Sequence, residues 1–454
     1  MSKQENEFFE KLTEARRKNA ENLKEPSLRG VWRSVVEKYS DQAHFVYELL
    51  QNADDALATD ARFILKKDCL IFAHNGKRHF TITNPSEENN PPIGDINAIT
   101  SVGNSNKNEK EETIGKFGVG FKAVFQYTAT PHIYDTEFRF KIEDYIVPIK
   151  LADDHPERRK DETLFVFPFD HPEKNINETY DDISRKLRNL RYPLLFLNKL
   201  ENIDLQFGNA IGLYGKKRNE IKIFGNTEAE HITLTQNDGN GSDLHDEHLW
   251  VFSRPCDLGE ENESTRTNLK YSVGFFVNGG KLSPVDLPAF CYFSTKEKTG
   301  LNFIIHAPFR LTENREGIRS GEQHNNDMIN ALAELAADSM EYLRDIGNEK
   351  GRRLIDDDIV RIIPVDEKKF SDPADPHSVS FLPFYEKIKN KFKKSQILPA
   401  AKEYVSAGNA YWAAVPKLTS LFSDEQLRDI VDNPKHVWYF RHWEEMKIGE
   451  RNLH

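Results

Sequence analysis

The segment Gly115-Lys-Phe-Gly118-Val-Gly120 constrains this chain most, because it runs without a break into the apolar helical pattern Phe121–Tyr127. Glycines at that spacing let backbone N–H groups turn to one side, and the positive end of a following helix adds to the same field. Such a turn suits a phosphate. It is not a Walker A loop, since no Gly-Lys-Ser/Thr follows, and it lacks the preceding strand of a dinucleotide-binding βαβ unit. A glycine cluster alone is usually a tight turn, so its meaning depends on its company.

That company is Glu48-Leu-Leu-Gln-Asn52-Ala-Asp-Asp55-Ala56. On a helix, positions four apart share a face, so Glu48 and Asn52 project side by side with Asp55 next to them. A neutral amide oxygen can bind a hard cation without neutralising its neighbour, and a carboxylate one turn away can take a proton from water. An amphipathic helix with a polar face of this composition explains the segment alone equally well. The glycine turn at this order and separation tips the balance toward phosphate and metal chemistry.

The rest of the chain frames these two segments. Residues 1–60 read as helical, through Phe8, Phe9 and Leu12 and again from Val31 to Leu50, and Phe63–Phe72 turns strand-like. A loop at Asn84–Pro92, a short helix and the polar stretch VGNSNKNEKEET lead to the glycine turn. Strands are expected at Phe138–Ile149 and Thr163–Phe169, and a helix near Tyr180–Leu197. Further strands are expected at Ile203–Phe207, Ile221–Phe224, Leu249–Phe252, Tyr271–Val277 and Leu301–His306, with helices from Asp327 onward and an aromatic tail holding Trp412, Trp438 and Trp443. With 454 residues, 38% apolar, two or three domains are expected. The net charge of −11 argues against a protein that coats nucleic acid along its length. Cys69, Cys256 and Cys291 fit no metal or disulfide spacing and read as buried free thiols of a cytoplasmic protein. No apolar run reaches the ~18 residues of a membrane span, and the charged N-terminus is no signal peptide. His245 and His248 invite a zinc reading that their spacing does not support.

Together, ELLQNADDA and IGKFGVGFKAVF resemble the GHKL superfamily, the ATPases that include the ATP-hydrolysing chain of DNA gyrase, MutL, the ninety-kilodalton heat-shock chaperone and sacsin. The wording HFVYELLQNADDA and GKFGVGFKAVFQYTATPHIY is most similar to sacsin-like proteins. The resemblance implies an α+β chain. A Bergerat-fold ATP-binding domain, a mixed sheet covered by helices, would occupy 1–185, a transducer-like domain 186–326, and a helical region 327–454. It implies ATP and Mg²⁺ as ligands, Glu48 as the base that activates water, Asn52 as the magnesium ligand and Asp55 on the pocket wall. Gly115, Lys116, Phe117, Gly118, Val119, Gly120 and Phe121 would cradle the phosphates, under a lid in which Lys107 or Lys116 reaches one of them.

The family's adenine-reading Asp-x-Gly-x-Gly matches His74-Asn75-Gly76-Lys77-Arg78 only in part, with His74 on the aspartate and Arg78 on the second glycine. A neutral imidazole could accept one bond from the adenine amino group, and Asn75 is the other candidate for the base. Thr163 stands where these ATPases commonly place a threonine near adenine, although threonine is also a good strand former. A transducer cation for the γ-phosphate is expected from Lys296, Lys298 or Arg315, with Lys298 and Arg315 preferred. The roles implied are a chaperone-like or remodelling ATPase acting on a protein client, an ATP-gated clamp or sensor with nucleic acid, as in antiviral defence, or a non-hydrolysing scaffold. Relatives often dimerise through the ATP-bound N-terminal region, so the resemblance also implies a nucleotide-dependent homodimer.

Overall fold

In a computed structural model, the described residues are 1–23, 44–88, 93–101, 121–237, 244–256, 269–312, 316–371, 379–400, 403–412, 418–432 and 434–439. Lys107, Gly115, Lys116, Phe117, Gly118, Val119, Gly120 and Arg315 lie outside them, as does the expected lid. The chain forms two compact units, Met1–Lys216 with Leu234–Asp246, and Lys217–Thr233 with Glu247–His454.

The first unit opens with helix α1 (Lys3–Leu23), which buries Phe9, Leu12, Arg16 and Ala20 along one stripe. Helix α2 (His44–Asp55) buries Phe45, Val46, Leu49, Leu50 and Ala53 and leaves Glu48 and Gln51 half-buried. It ends in a Schellman arrangement: Leu57 adopts φ 62°, Leu57 N donates to Asp54 O (2.9 Å) and Ala58 N to Ala53 O (3.0 Å). Strands β1 (Asp60–Leu65) and β2 (Cys69–His74) form an antiparallel hairpin. Helix α3 (Asp95–Ile99) and a 3₁₀ turn at Phe121–Gln126 follow. Next come β3 (His132–Tyr134), β4 (Arg139–Glu143), β5 (Val147–Lys150), β6 (Thr163–Pro168), helix α4 (Ile176–Arg188) and β7 (Asn202–Phe207). The strand order is β7-β1-β2-β6-β3-β4-β5, antiparallel except for β1 against β7.

Both faces of this sheet are covered where β1, β2 and β6 meet. One carries a chain of rings in which Phe63, Phe72, Phe165, Phe80 and Phe140 stand 4.6–6.1 Å apart in succession. Ile64, Ile71, Ala73, Leu164 and Val166 form a second cluster on the other. There Arg62, nine-tenths buried, grips Glu162 through two bonds, Nε to Oε1 at 3.1 Å and Nη2 to Oε2 at 2.7 Å, and donates to Glu157 O at 2.6 Å.

Long strand β8 (Ala210–Phe224) carries the chain from the first unit into the second and β9 (Thr227–Asn237) carries it back, the two joined by a turn with Gly225 at φ 60°. The second unit adds β10 (His245–Pro255), β11 (Lys270–Asn278), β12 (Lys281–Ser283), β13 (Pro288–Cys291), β14 (Phe293–Lys298) and β15 (Ile304–His306). Its pairings are antiparallel except for β13 against β15. Helices α5 (Gln323–Glu349) and α6 (Leu382–Lys394) bury Leu332, Met340, Leu343, Phe384 and Ile388 into one core with Trp250, Phe252, Phe275 and Phe303. Strands and helices on either side of residue 327 therefore share a core. Arg254, Asp338 and Lys391 tie β10, α5 and α6 together at 2.8 Å.

The protein is thus α+β with extensive mixed sheet and several helices. Phe121–Gln126 is 3₁₀ where a helical pattern was read, in keeping with a short segment whose residues 121–125 are all buried. The helix read at 180–197 is α4, displaced toward the N-terminus: Asn175 Oδ1 caps it through Asn177 N (2.9 Å) and Glu178 N (3.4 Å), and it ends before Pro193. The three cysteines are free and half-buried. No helix among the described residues is long and apolar enough to cross a membrane.

Candidate functional site

The C-terminal end of α2 and the turn after β2 meet face to face. Gly76 has no room for a side chain: a Cβ there would stand 2.8 Å from Ala56 Cβ and 2.9 Å from Ala56 O, both on the chain just after α2. Arg78 N donates to the same Ala56 oxygen at 3.2 Å. Replacing Gly76 by alanine must push two backbones apart, and we expect it to cost about 1–3 kcal/mol in chemical denaturation. Wild-type stability in that variant would show that the contact is slack.

Around this junction the structure brings together Asn52, Asp55, His74 and Gly76, with Glu48 one turn back along α2. Asn52 is nine-tenths buried, and its amide has no hydrogen-bond partner among the described residues. Asp55 lies at the exposed end of the helix. Its carboxyl is pushed up to about 6, first by desolvation, then by Asp54; Arg78 opposes the shift and Glu48 adds to it. Arg78 in turn donates to Asp95 Oδ1 at 2.5 Å, and Asp95 Oδ2 accepts from Thr81 Oγ1 at 2.8 Å. The turn is so anchored to the start of α3.

His74 is buried, and its Nδ1 accepts the Gly76 N–H at 3.1 Å. Burial pushes the imidazole down to about 4, against the pull of Asp135 and Glu162, so the ring is neutral. Thr163 is its cross-strand partner, and partners in an antiparallel pair share a face. The Thr163 hydroxyl donates to Asp135 Oδ1 at 2.9 Å, and Asp135 also holds Phe80 N (2.7 Å) and His79 Nδ1 (2.8 Å). Phe121, the residue after the glycine turn, packs 6.0 Å from Phe165 and 6.1 Å from Phe167 on the face that carries His74.

Asn75 takes a role other than the base contact expected of it. Its Oδ1 accepts from Thr59 N and Asp60 N, both at 2.9 Å, and its Nδ2 donates to Thr59 Oγ1 (2.9 Å) and Asp60 Oδ2 (2.7 Å). That fills the hydrogen-bonding capacity of the amide. Lys298 is exposed at the end of β14 in the second unit with no acceptor among the described residues, whereas Lys296 is paired with Glu316. His245 and His248 are exposed; His248 Nδ1 meets Thr233 Oγ1 at 3.0 Å, and no metal-holding cluster occurs among the described residues.

Three residues escaped the sequence reading. Asp54 accepts backbone N–H groups of Asn198 (3.0 Å), Lys199 (2.6 Å) and Leu200 (2.8 Å), pinning the approach to β7. Its signal was available, since carboxylates are disfavoured in the last turn of a helix and need another use there. Asp135 gave no local signal, because its partners come from two separate segments, His79–Phe80 and Thr163. Lys122 is buried with its ammonium on Ser101 O, and burial, then Arg16, pushes it down to about 7. A lysine directly after an apolar turn residue reads as surface until the packing is known.

Residues 25–147 match the Sacsin domain. The chain is similar to Protein NO VEIN of Arabidopsis thaliana, 24% identical over 340 residues, covering 67% of this chain and 11% of that protein. It is also similar to Sacsin of Homo sapiens, 30% identical over 125 residues, covering 25% of this chain and 3% of that protein. The chain therefore spans a small fraction of the length of either relative. The matched domain contains Glu48, Asn52, Asp55, His74 and the glycine turn through Phe121, with Thr163 beyond it. The sacsin-like resemblance of these segments is supported.

Proposed function

We propose that the first unit binds a nucleoside triphosphate with magnesium, ATP on the resemblance, in a Bergerat-type site and hydrolyses it to drive a conformational switch of the chaperone-like or remodelling kind. The observation that carries this reading is Asn52 on α2, a residue 9% exposed whose amide has no hydrogen-bond partner among the described residues and which stands one turn from Glu48. An amide with no protein partner keeps its oxygen for a ligand. Its neutral oxygen beside a carboxylate fits a hard cation that takes its remaining ligands from phosphate and water. The metal, when bound, neutralises charge on the phosphates and aligns them for in-line attack.

In this reading Asn52 holds the cation, and Glu48 receives the proton of the attacking water. The resemblance assigns the glycine segment 115–120 to the phosphates, and the base lies toward His74 and Thr163. The similarity to Sacsin favours a chaperone-related role.

For Asn52→Ala we expect the magnesium-dependent part of ATP affinity to fall by at least about 10–100-fold, the range seen when a metal site loses ligand support. Titration calorimetry of the full chain with ATP, with and without Mg²⁺, reads it directly. Unchanged affinity in the variant refutes the assignment of Asn52.

A further inference from the structure

The hydrogen bonding of His74 bears on which base this site takes, an inference that rests on the nucleotide reading above. Nδ1 is the acceptor of the Gly76 N–H. A neutral imidazole with one nitrogen accepting carries its proton on the other, so Nε2 is a donor and nothing else. Nε2 has no acceptor among the described residues, on a side chain 5% exposed. Beside it, the Thr163 hydroxyl, on a residue 1% exposed, directs its own proton to Asp135, so its oxygen can act only as an acceptor. Phe72 and Phe165 stand 5.9 and 6.1 Å from the imidazole and give the position apolar flanks.

We infer that the base end of the site presents a donor from His74 and an acceptor from Thr163, and so takes a 6-oxopurine nucleotide in preference to an adenine nucleotide. A 6-oxopurine offers O6 to the His74 N–H and its N1–H to the Thr163 oxygen. Adenine in the same pose sets its amino group against the His74 N–H, donor against donor, and N1 against an oxygen, acceptor against acceptor. A carboxylate at position 74 reverses the first of these matches. Aspartate also keeps the local turn, because its side-chain oxygen can accept the N–H two residues on, as Nδ1 does here. The imidazole stays neutral well below pH 6, so the preference is expected to be flat between pH 6 and 8.

The test is calorimetry of the full chain with Mg²⁺ and either inosine triphosphate or ATP, which differ at the purine 6-position. Wild type should bind inosine triphosphate about tenfold or more tightly than ATP, as expected when a mismatch leaves buried polar groups unpaired. His74→Asp should move the ratio toward ATP, with its circular-dichroism melt confirming a folded chain. His74→Asn, which can turn either a donor or an acceptor to the base, should bring the ratio near one. Tighter ATP binding by wild type, or a ratio that His74→Asp leaves unmoved, overturns this inference and leaves the nucleotide reading intact. Failure of wild type to bind either nucleotide overturns both.

Discussion

Glu48→Ala is expected to bind Mg-ATP about as tightly as wild type while its turnover falls by roughly 10²–10⁴-fold, the usual contribution of a positioned general base. The carboxylate is half-buried on α2, and alanine keeps the helix, so the loss falls on proton transfer. Asn52 and the Gly76 contact are untouched. Removing the negative charge also removes one of the influences that raise the Asp55 carboxyl, which should then titrate below about 6. Binding is therefore expected to hold or strengthen as turnover collapses, a split that general unfolding cannot produce. Phosphate release, calorimetry and a melt on the same preparation separate the outcomes. Equal turnover in the two proteins removes Glu48 from the chemistry, and turnover stimulated by added DNA moves the clamp reading ahead of the chaperone-like one.

How far the sequence reached depended on whether a residue's role is local. Glu48 and Asn52 lie one turn apart on one helix, so periodicity alone places them together. The strands β7 and β11 were legible for the same local reason, as was the apolar middle Leu249–Phe252 of β10, though not its polar ends. The full extent of β8 was not, because its middle reads Lys216-Lys-Arg-Asn-Glu220, a charged run that lies beyond the β7 pairing of Ala210–Gly215 and carries no apolar strand signal. The burden of Asn75 is likewise invisible in the sequence: it depends on a hairpin that returns β2 to the start of β1. The tautomer of His74 belongs with these, since it is set by the bend that brings the Gly76 N–H onto Nδ1.

Arg62→Leu is expected to destabilise the first unit by about 3–5 kcal/mol at pH 7, the cost of leaving one partner of a buried ion pair alone. The Arg62 and Glu162 side chains are 9% and 10% exposed, so water cannot replace the lost guanidinium cheaply. Burial alone would raise the Glu162 carboxyl, but the Arg62 hydrogen bonds and the Arg159 N–H outweigh it and hold it below its usual value. A lowered carboxyl contributes stability above its unfolded value of 4.5, and that stability is lost as pH falls through the folded value. The gap between wild type and variant in denaturant midpoint should accordingly be full at neutral pH and narrow below about pH 4.5. Arg62→Leu combined with Glu162→Leu should recover much of the loss, because an apolar pair removes the orphaned charge. Glu162 immediately precedes Thr163, so the single variant should also loosen the Thr163 bond to Asp135 and weaken nucleotide binding, while the double variant keeps β6 packed and restores it. If the double variant is as unstable as the single one, the pair acts through the shape of the guanidinium and its bond to Glu157 O rather than through charge.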